Sequence, residues 1–324
     1  MASELKPITQ SISNELTEFE KRFRQSMKSK VPLLDTIMTY IVKRKGKQMR
    51  PMFVILSAQM FGDVNDRTYR GGALVELLHT ATLVHDDVVD DAHKRRNFYS
   101  INALWKNKIA VLVGDYLLSK GLLLSVRNKD FDMLEVLSEA VEQISEGELL
   151  QIEKARRLDI TEEVYFDIIS KKTASLISSC CGIGTLSTTD DPEILSTMCD
   201  FGLKAGIAFQ IKDDLFDYGL ADVGKPTGND IKEKKMTLPL IYALNNASRG
   251  DKRRIINTVK NNNNDKKKVA EVLDYVTNSG GIEYAIEHMH QYHQQAKDLI
   301  QGISTPKSKT EILGLVDFVI NRKK

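Results

Sequence analysis

Apolar residues recur at spacings of three and four along nearly the whole chain, the periodicity of amphipathic helices. The pattern predicts helices over residues 8–28, 33–44, 51–61, 103–127, 131–155, 161–186, 191–204, 236–246, 265–278 and 281–301. Only seven prolines interrupt it, and hairpin dipeptides flanked by alternating apolar residues are missing, so the fold class is all-α. Two further segments, GGALVELLHTATLVHDDVVD at 71–90 and CDFGLKAGIAFQIKDDLFDY at 199–218, are apolar nearly all round until aspartates arrive at one end. Helices of that kind lie at the centre of a bundle.

The loops GLADVGKPTGNDIKEKK at 219–235 and NNNNDKKK at 261–268 are polar, and neither reads as a flexible Gly/Ser linker, so residues 1–324 are expected to form a single domain. The 46 basic and 44 acidic side chains give a formal charge of +2. Nothing global suggests nucleic acid, and any charge recognition must be local. The three cysteines, Cys180, Cys181 and Cys199, lack metal-ligand spacing and are expected as reduced thiols of a cytoplasmic protein. MASELKPITQ lacks the order of a signal peptide, and no apolar run reaches the length of a membrane span.

The chemistry concentrates at the aspartates. Asp86, Asp87 and Asp90 end the first central segment, and Asp213, Asp214 and Asp217 repeat their spacing at the end of the second. Positions i and i+4 stack on one helix face, so each DDxxD presents two carboxylates one turn apart with a third beside them. Two such faces opposed across a cavity would hold hard divalent cations, and oxygen-only ligands suit Mg²⁺. One such motif could be a solvated helix end, but two copies, each closing an apolar helix, are poorly explained that way. Basic residues accompany them: Lys47 and Arg50 in KGKQMRP, Arg95 and Arg96 after the first motif, Lys172 in SKKTASL, and Lys225 and Lys235 around the second. Singly these are ordinary surface charges. Together they supply what two diphosphates require.

GKQMRP, ELLHTATLVHDDVVDDAHKRR, LVGDYLL, EGELLQ, SKKTASL, GIAFQIKDDLFDYGLADVGKPTGND and KKMTLP, in that order and spacing, resemble the trans-isoprenyl diphosphate synthases, specifically the long-chain polyprenyl group. The resemblance implies a bundle of roughly a dozen helices around a deep central cavity, as a homodimer. It implies Mg²⁺, about three ions per active site with Mn²⁺ able to substitute, held by Asp86, Asp87, Asp90, Asp213, Asp214 and Asp217. Asp230 would support the second site through water. Lys47, Arg50, His79 and Arg96 match positions that hold isopentenyl diphosphate. Arg95, Lys172, Lys225 and Lys235 match those facing an allylic diphosphate, with Thr173 and Gln210 near its carbons. Lys45, Gln48 and Asn97 depart from the family pattern of glycine, arginine and glycine at those places.

The implied reaction is sequential condensation of isopentenyl diphosphate onto an allylic primer such as farnesyl diphosphate, with peripheral membrane contact for release of the product. Ala81 lies five residues before Asp86, about 7.5 Å along a helix. Short-chain relatives carry aromatics at this level, whereas here it holds Ala81 and Thr82. Leu78, Leu124 and Leu137 are expected to wall or floor a longer tunnel, giving products of about thirty to forty carbons for quinone side chains. A short-chain farnesyl or geranylgeranyl diphosphate synthase is the neighbouring alternative. A class I terpene cyclase ordinarily lacks the second DDxxD and the isopentenyl-binding cations. A silent partner subunit should have eroded aspartates, and all six are present. His288, His290 and His293 do not share one helix face, so a solvated or dimer-facing helix is expected there rather than a metal site.

Overall fold

The computed structural model describes residues 5–43, 46–95, 98–219, 227–303 and 308–322. The helices run α1 (Lys6–Ser11), α2 (Ser13–Ser26), α3 (Pro32–Lys43), α4 (Met49–Phe61), α5 (Asp66–Val89), α6 (Ile101–Asn128), α7 (Phe131–Arg157), α8 (Glu162–Ile169), α9 (Ser175–Leu186) and α10 (Pro192–Phe216). They continue as α11 (Asn229–Lys232), α12 (Leu238–Asn245), α13 (Arg249–Asn261), α14 (Lys266–Asn278), α15 (Gly281–Gln301) and α16 (Lys309–Asn321). The fold is all-α, as expected. The one sheet among the described residues is a two-residue antiparallel ladder, β1 (Lys94–Arg95) with β2 (Phe98–Tyr99).

The chain forms two compact units. The first comprises Met1–Ser138, Cys180–Ser196 and Thr305–Ile312, and the second Glu139–Ser179, Thr197–Ser304 and Leu313–Lys324. In the first, α4 is buried continuously from Pro51 to Met60, because MRPMFVILSAQMF offers no polar stripe to water. Helix α5 begins in a capping box: the Asn65 side chain accepts from the Arg67 and Thr68 amides, and the Thr68 hydroxyl accepts from the Asn65 amide. Such a cap contributes about 1 kcal/mol and fixes where the helix starts. Leu77, Ala81 and Val84 of α5 pack with Ala110, Val113 and Leu117 of α6 and with Ile37 and Met38 of α3. Gly114 lets α6 close on the end of α5, since a Cβ there would fall within the His85 ring.

In the second unit α10 and α12 supply the core, with Phe201, Ala205, Ala208 and Ile211 on one and Leu238, Leu240 and Ile241 on the other. Residues 161–186, expected as one helix, are interrupted by a π turn at Ser170–Ala174. The segments 191–204 and 199–218 fuse into α10, whereas 8–28 divides at Ile12 into α1 and α2. Helices α11, α13 and α16 were not expected. Helix α13 buries only Ile255, Thr258 and Val259 of thirteen largely charged and polar residues, too thin a stripe to stand out. Helix α16 contains the nearly unbroken run ILGLVDFVI, whose periodicity alone does not separate helix from strand.

One expectation is corrected. Helix α6, with 28 residues and a mean hydropathy of 1.7 over its best 18-residue window, is long and apolar enough to cross a membrane by length and composition. Asp115 and Lys120 interrupt its apolar run in the sequence. One side of α6 packs on α5, while Val111, Leu112, Leu122, Leu123 and Val126 remain exposed.

Candidate active site

Each aspartate motif occupies the carboxyl end of a long helix, where unsatisfied carbonyls already concentrate negative potential. Carboxylates placed there destabilise the helix unless a cation answers them. In the first unit Asp86 and Asp90 are exposed one turn apart, and Asp87 is 4% exposed. The Arg95 guanidinium donates to Asp87 Oδ1 at 2.7 Å, and the Asn102 amide donates to the Asp87 carbonyl at 3.0 Å. These contacts tie the end of α5 to β1 and to the start of α6.

The isopentenyl-site candidates in the same unit gather on α4 and α5. Arg50 in the first turn of α4 donates to Glu76 Oε1 at 2.7 Å. Glu76 precedes His79 by three residues, so Arg50 is held beside the His79 face of α5. Lys47 is exposed just before α4, and Gln48 takes left-handed backbone angles, φ 56° and ψ 34°, at the helix N-cap. Ala81 is fully buried in the α3, α5 and α6 cluster. Thr82 is half-buried, and its hydroxyl donates to the His79 carbonyl at 2.9 Å. Leu78 and Leu137 are buried, and Leu124 packs against the cluster from α6. Arg96, Lys225, Lys45 and Asn97 lie outside the described residues.

The second unit carries the remaining candidates around a cavity of about 150 Å³ lined in part by Tyr165, Lys172, Thr173, Gln210, Asp214 and Lys235. The π turn places Lys172 and Thr173 here, inside a local widening of the kind that often marks functional positions. Gly206 allows α10 to lie directly on this turn: a Cβ there would sit 2.8 Å from the Ala174 Cβ. Gln210, one turn further along α10, thereby reaches Thr173, whose hydroxyl donates to Gln210 Oε1 at 2.8 Å. Gln210 Nε2 donates to Asp214 Oδ1 at 2.7 Å, and the Tyr165 hydroxyl donates to Asp214 Oδ2 at 2.7 Å. Lys172 pairs with Glu148 of EGELLQ, and Lys235 with Glu233.

The outer aspartates of this motif have different partners. Asp213 is paired with Arg322, whose guanidinium also lies 3.9 Å from the Phe209 ring centroid. Asp217 accepts from the Asn229 and Asp230 amides at 2.8 and 3.0 Å and so anchors α11. Burial, reinforced by neighbouring carboxylates, holds the Asp214 and Asp230 carboxyls above the usual range. A divalent cation would relieve that repulsion. Among the described residues no three His, Cys, Asp or Glu side chains form a metal-ligand group.

Sequence reasoning missed Tyr165, Arg322 and the carboxylates Glu76, Glu148 and Glu233 that hold the site's cations. Glu148 had a signal in EGELLQ; Tyr165 and Arg322 had none, because each is brought in by a distant helix. His293 and His288 are absorbed by packing, whereas His290 is exposed. His293 Nε2 lies 2.7 Å from Asp317 Oδ1, and His288 packs its ring on Tyr284 and Phe166.

A family model for polyprenyl synthetases matches residues 31–276. The short chain isoprenyl diphosphate synthase of Methanothermobacter thermautotrophicus is 33% identical over 313 residues, 94% of this chain and 95% of its own length. The octaprenyl diphosphate synthase of Escherichia coli is 31% identical over 320 residues, 98% of this chain and 99% of its own. A crystal structure of a decaprenyl diphosphate synthase from Rhodobacter capsulatus superposes with a TM-score of 0.92 at 30% identity, covering 98% of this chain and 99% of the other.

Proposed function

The chain belongs to the polyprenyl synthetase family and is a prenyltransferase that makes prenyl diphosphates; from that premise we propose that it is a Mg²⁺-dependent long-chain all-trans-polyprenyl diphosphate synthase. It extends an allylic primer, farnesyl diphosphate in this reading, with isopentenyl diphosphate to about thirty to forty carbons. The observation that carries the reading is the repeated aspartate motif at the carboxyl ends of two long helices, accompanied by arginines and lysines.

An allylic diphosphate ionises because its cation is delocalised, but separating that cation from a highly charged leaving group in an apolar pocket is costly. Mg²⁺ held by Asp86, Asp90 and Asp213 would supply Lewis-acid neutralisation of the leaving diphosphate. Arg95, Lys172 and Lys235 bind the same diphosphate as hydrogen-bond donors, while Lys47, Arg50 and His79 hold the isopentenyl diphosphate. The Gln210 carbonyl and the Thr173 hydroxyl turn the negative ends of their dipoles to the electron-deficient carbon. Ile168 and Ile169 give the cavity an apolar side; water admitted there would trap the cation as an alcohol. The isopentenyl double bond attacks the allylic carbon, and the departed diphosphate takes the proton lost from the adduct. No side-chain general base is required.

Product length rests on the level of Ala81 and Thr82, which have no aromatic bulk. Ala81→Phe should shift the main product to about fifteen or twenty carbons with turnover retained, as read by chromatography of chains made from farnesyl and labelled isopentenyl diphosphate. Ala81 lies in a packed cluster, so a thermal melt must accompany the assay. An unchanged product from a folded variant would send the tail along another path. The exposed apolar side of α6 supports assembly as a homodimer. Sedimentation equilibrium should then return twice the 36.6 kDa chain mass, and a monomer at micromolar concentration would remove that part of the reading.

A further inference from the structure

Asp214 is the middle carboxylate of DDLFD, yet it faces inward. It is 8% exposed, and both of its oxygens accept hydrogen bonds, one from Gln210 Nε2 and one from the Tyr165 hydroxyl. Asp213 beside it keeps 40% of its side chain exposed. This difference follows from helix geometry: successive residues point about 100° apart, so when Asp213 faces outward Asp214 is turned to the core. Tyr165, itself 4% exposed, rises from α8 to meet it.

The contact has a chemical consequence. A side-chain amide has one donating and one accepting end, and a pocket without constraint accommodates either orientation. Because Asp214 accepts from Gln210, the NH₂ end is fixed toward Asp214 and the carbonyl must turn away from it. That carbonyl is where Thr173 donates, at 2.8 Å, and Thr173, Gln210, Asp214 and Tyr165 line one cavity. An orientation reversed by half a turn would set the amide N–H groups, with their positive ends, against the reacting carbon.

We propose that Asp214 and Tyr165 are positioning residues that fix the Gln210 amide with its carbonyl toward the reacting allylic carbon, and that Asp214 does not ligate metal. This rests on the prenyl-transfer reading given above. It revises the expectation that all six aspartates bind Mg²⁺: the middle aspartate of the second motif orients the group that stabilises the cation. Asp213 retains the metal role.

The test compares Tyr165→Phe, Asp214→Asn, Asp214→Ala and Asp213→Asn with the parent protein. Two readouts beyond rate are needed: the Mg²⁺ concentration giving half-maximal thermal stabilisation in the presence of inorganic pyrophosphate, and the fraction of allylic diphosphate released as alcohol. Tyr165→Phe should lower kcat by about tenfold, a size typical of outer-shell groups. It should raise the alcohol fraction and leave KM and the Mg²⁺ midpoint unchanged. Asp214→Asn, whose amide oxygen can still accept from Gln210, should lose less turnover than Asp214→Ala and also keep the Mg²⁺ midpoint. Asp213→Asn should move that midpoint upward by about tenfold or more. An Asp214→Asn midpoint displaced like that of Asp213→Asn makes Asp214 a ligand and overturns the proposal. Parental kcat and alcohol fraction in Tyr165→Phe overturn it as well, even if the Asp214 variants do not fold. Failure of the parent protein to condense the substrates would instead refute the prenyl-transfer reading.

Discussion

Asparagine at Asp86 or at Asp213 is expected to lower turnover by about two to three orders of magnitude, the size seen when one preorganised electrostatic contact to a developing charge is lost. The exchange keeps shape and volume and removes only the charge, so it isolates the role assigned to that charge. The fold should survive for a physical reason. Asp86 is exposed near the carboxyl end of α5, with Asp87 and Asp90 close by, and neutralising it relieves repulsion among these groups and with the helix dipole. The Asp86 variant should therefore keep a cooperative melt. Asp213 carries Arg322, so its variant should melt slightly earlier. Circular dichroism melts alongside steady-state assays separate the two effects. Parental rates in either variant would exclude the paired motifs as metal sites.

Chelation of divalent cations should have the larger effect, abolishing turnover, with recovery on adding back Mg²⁺ or Mn²⁺. The reason lies in how the chain's own cations are arranged. Arg50 is held by Glu76, Arg95 by Asp87, Lys172 by Glu148, Lys235 by Glu233 and Arg322 by Asp213. Each of these five side chains is thus matched by a carboxylate. An incoming diphosphate meets pairs that are close to neutral, not a surplus of positive charge, and the aspartate motifs add further negative charge. Metal ions would supply the compensation that these five pairs do not, for a leaving group of that charge. Turnover that persists in excess chelator would show that the side chains alone suffice.

The legible parts of this molecule were those written in contiguous stretches. The central helices announced themselves because GGALVELLHTATLV and CDFGLKAGIAFQI are apolar nearly all round, and the structure buries most of each. The DDxxD spacing put Asp86 and Asp90 one turn apart, and both are exposed at the end of α5. What stayed hidden required a partner from elsewhere in the chain. Tyr165 is one aromatic in EEVYFDII, and nothing local distinguishes it from the core residues around it until Asp214 arrives from α10. Arg322 belongs to a short basic tail, the kind of cluster that is usually solvated. Its meaning comes from α16, whose apolar run disguised it as a helix. The π turn at Ser170–Ala174 also escaped, since a one-residue bulge leaves the hydrophobic period on either side nearly intact. Motif recognition found Lys172 and Thr173, but the backbone device that presents them is visible only in the fold.

Chain elongation itself is open to one direct measurement. The purified protein should be incubated with Mg²⁺, farnesyl diphosphate and isotopically labelled isopentenyl diphosphate, and the products separated by chain length after removal of the diphosphate. The account predicts labelled linear alcohols, with the largest yield at about thirty to forty carbons and label in every added five-carbon unit. A hydrocarbon formed without isopentenyl diphosphate, or a lack of label in any product longer than the primer, would contradict it.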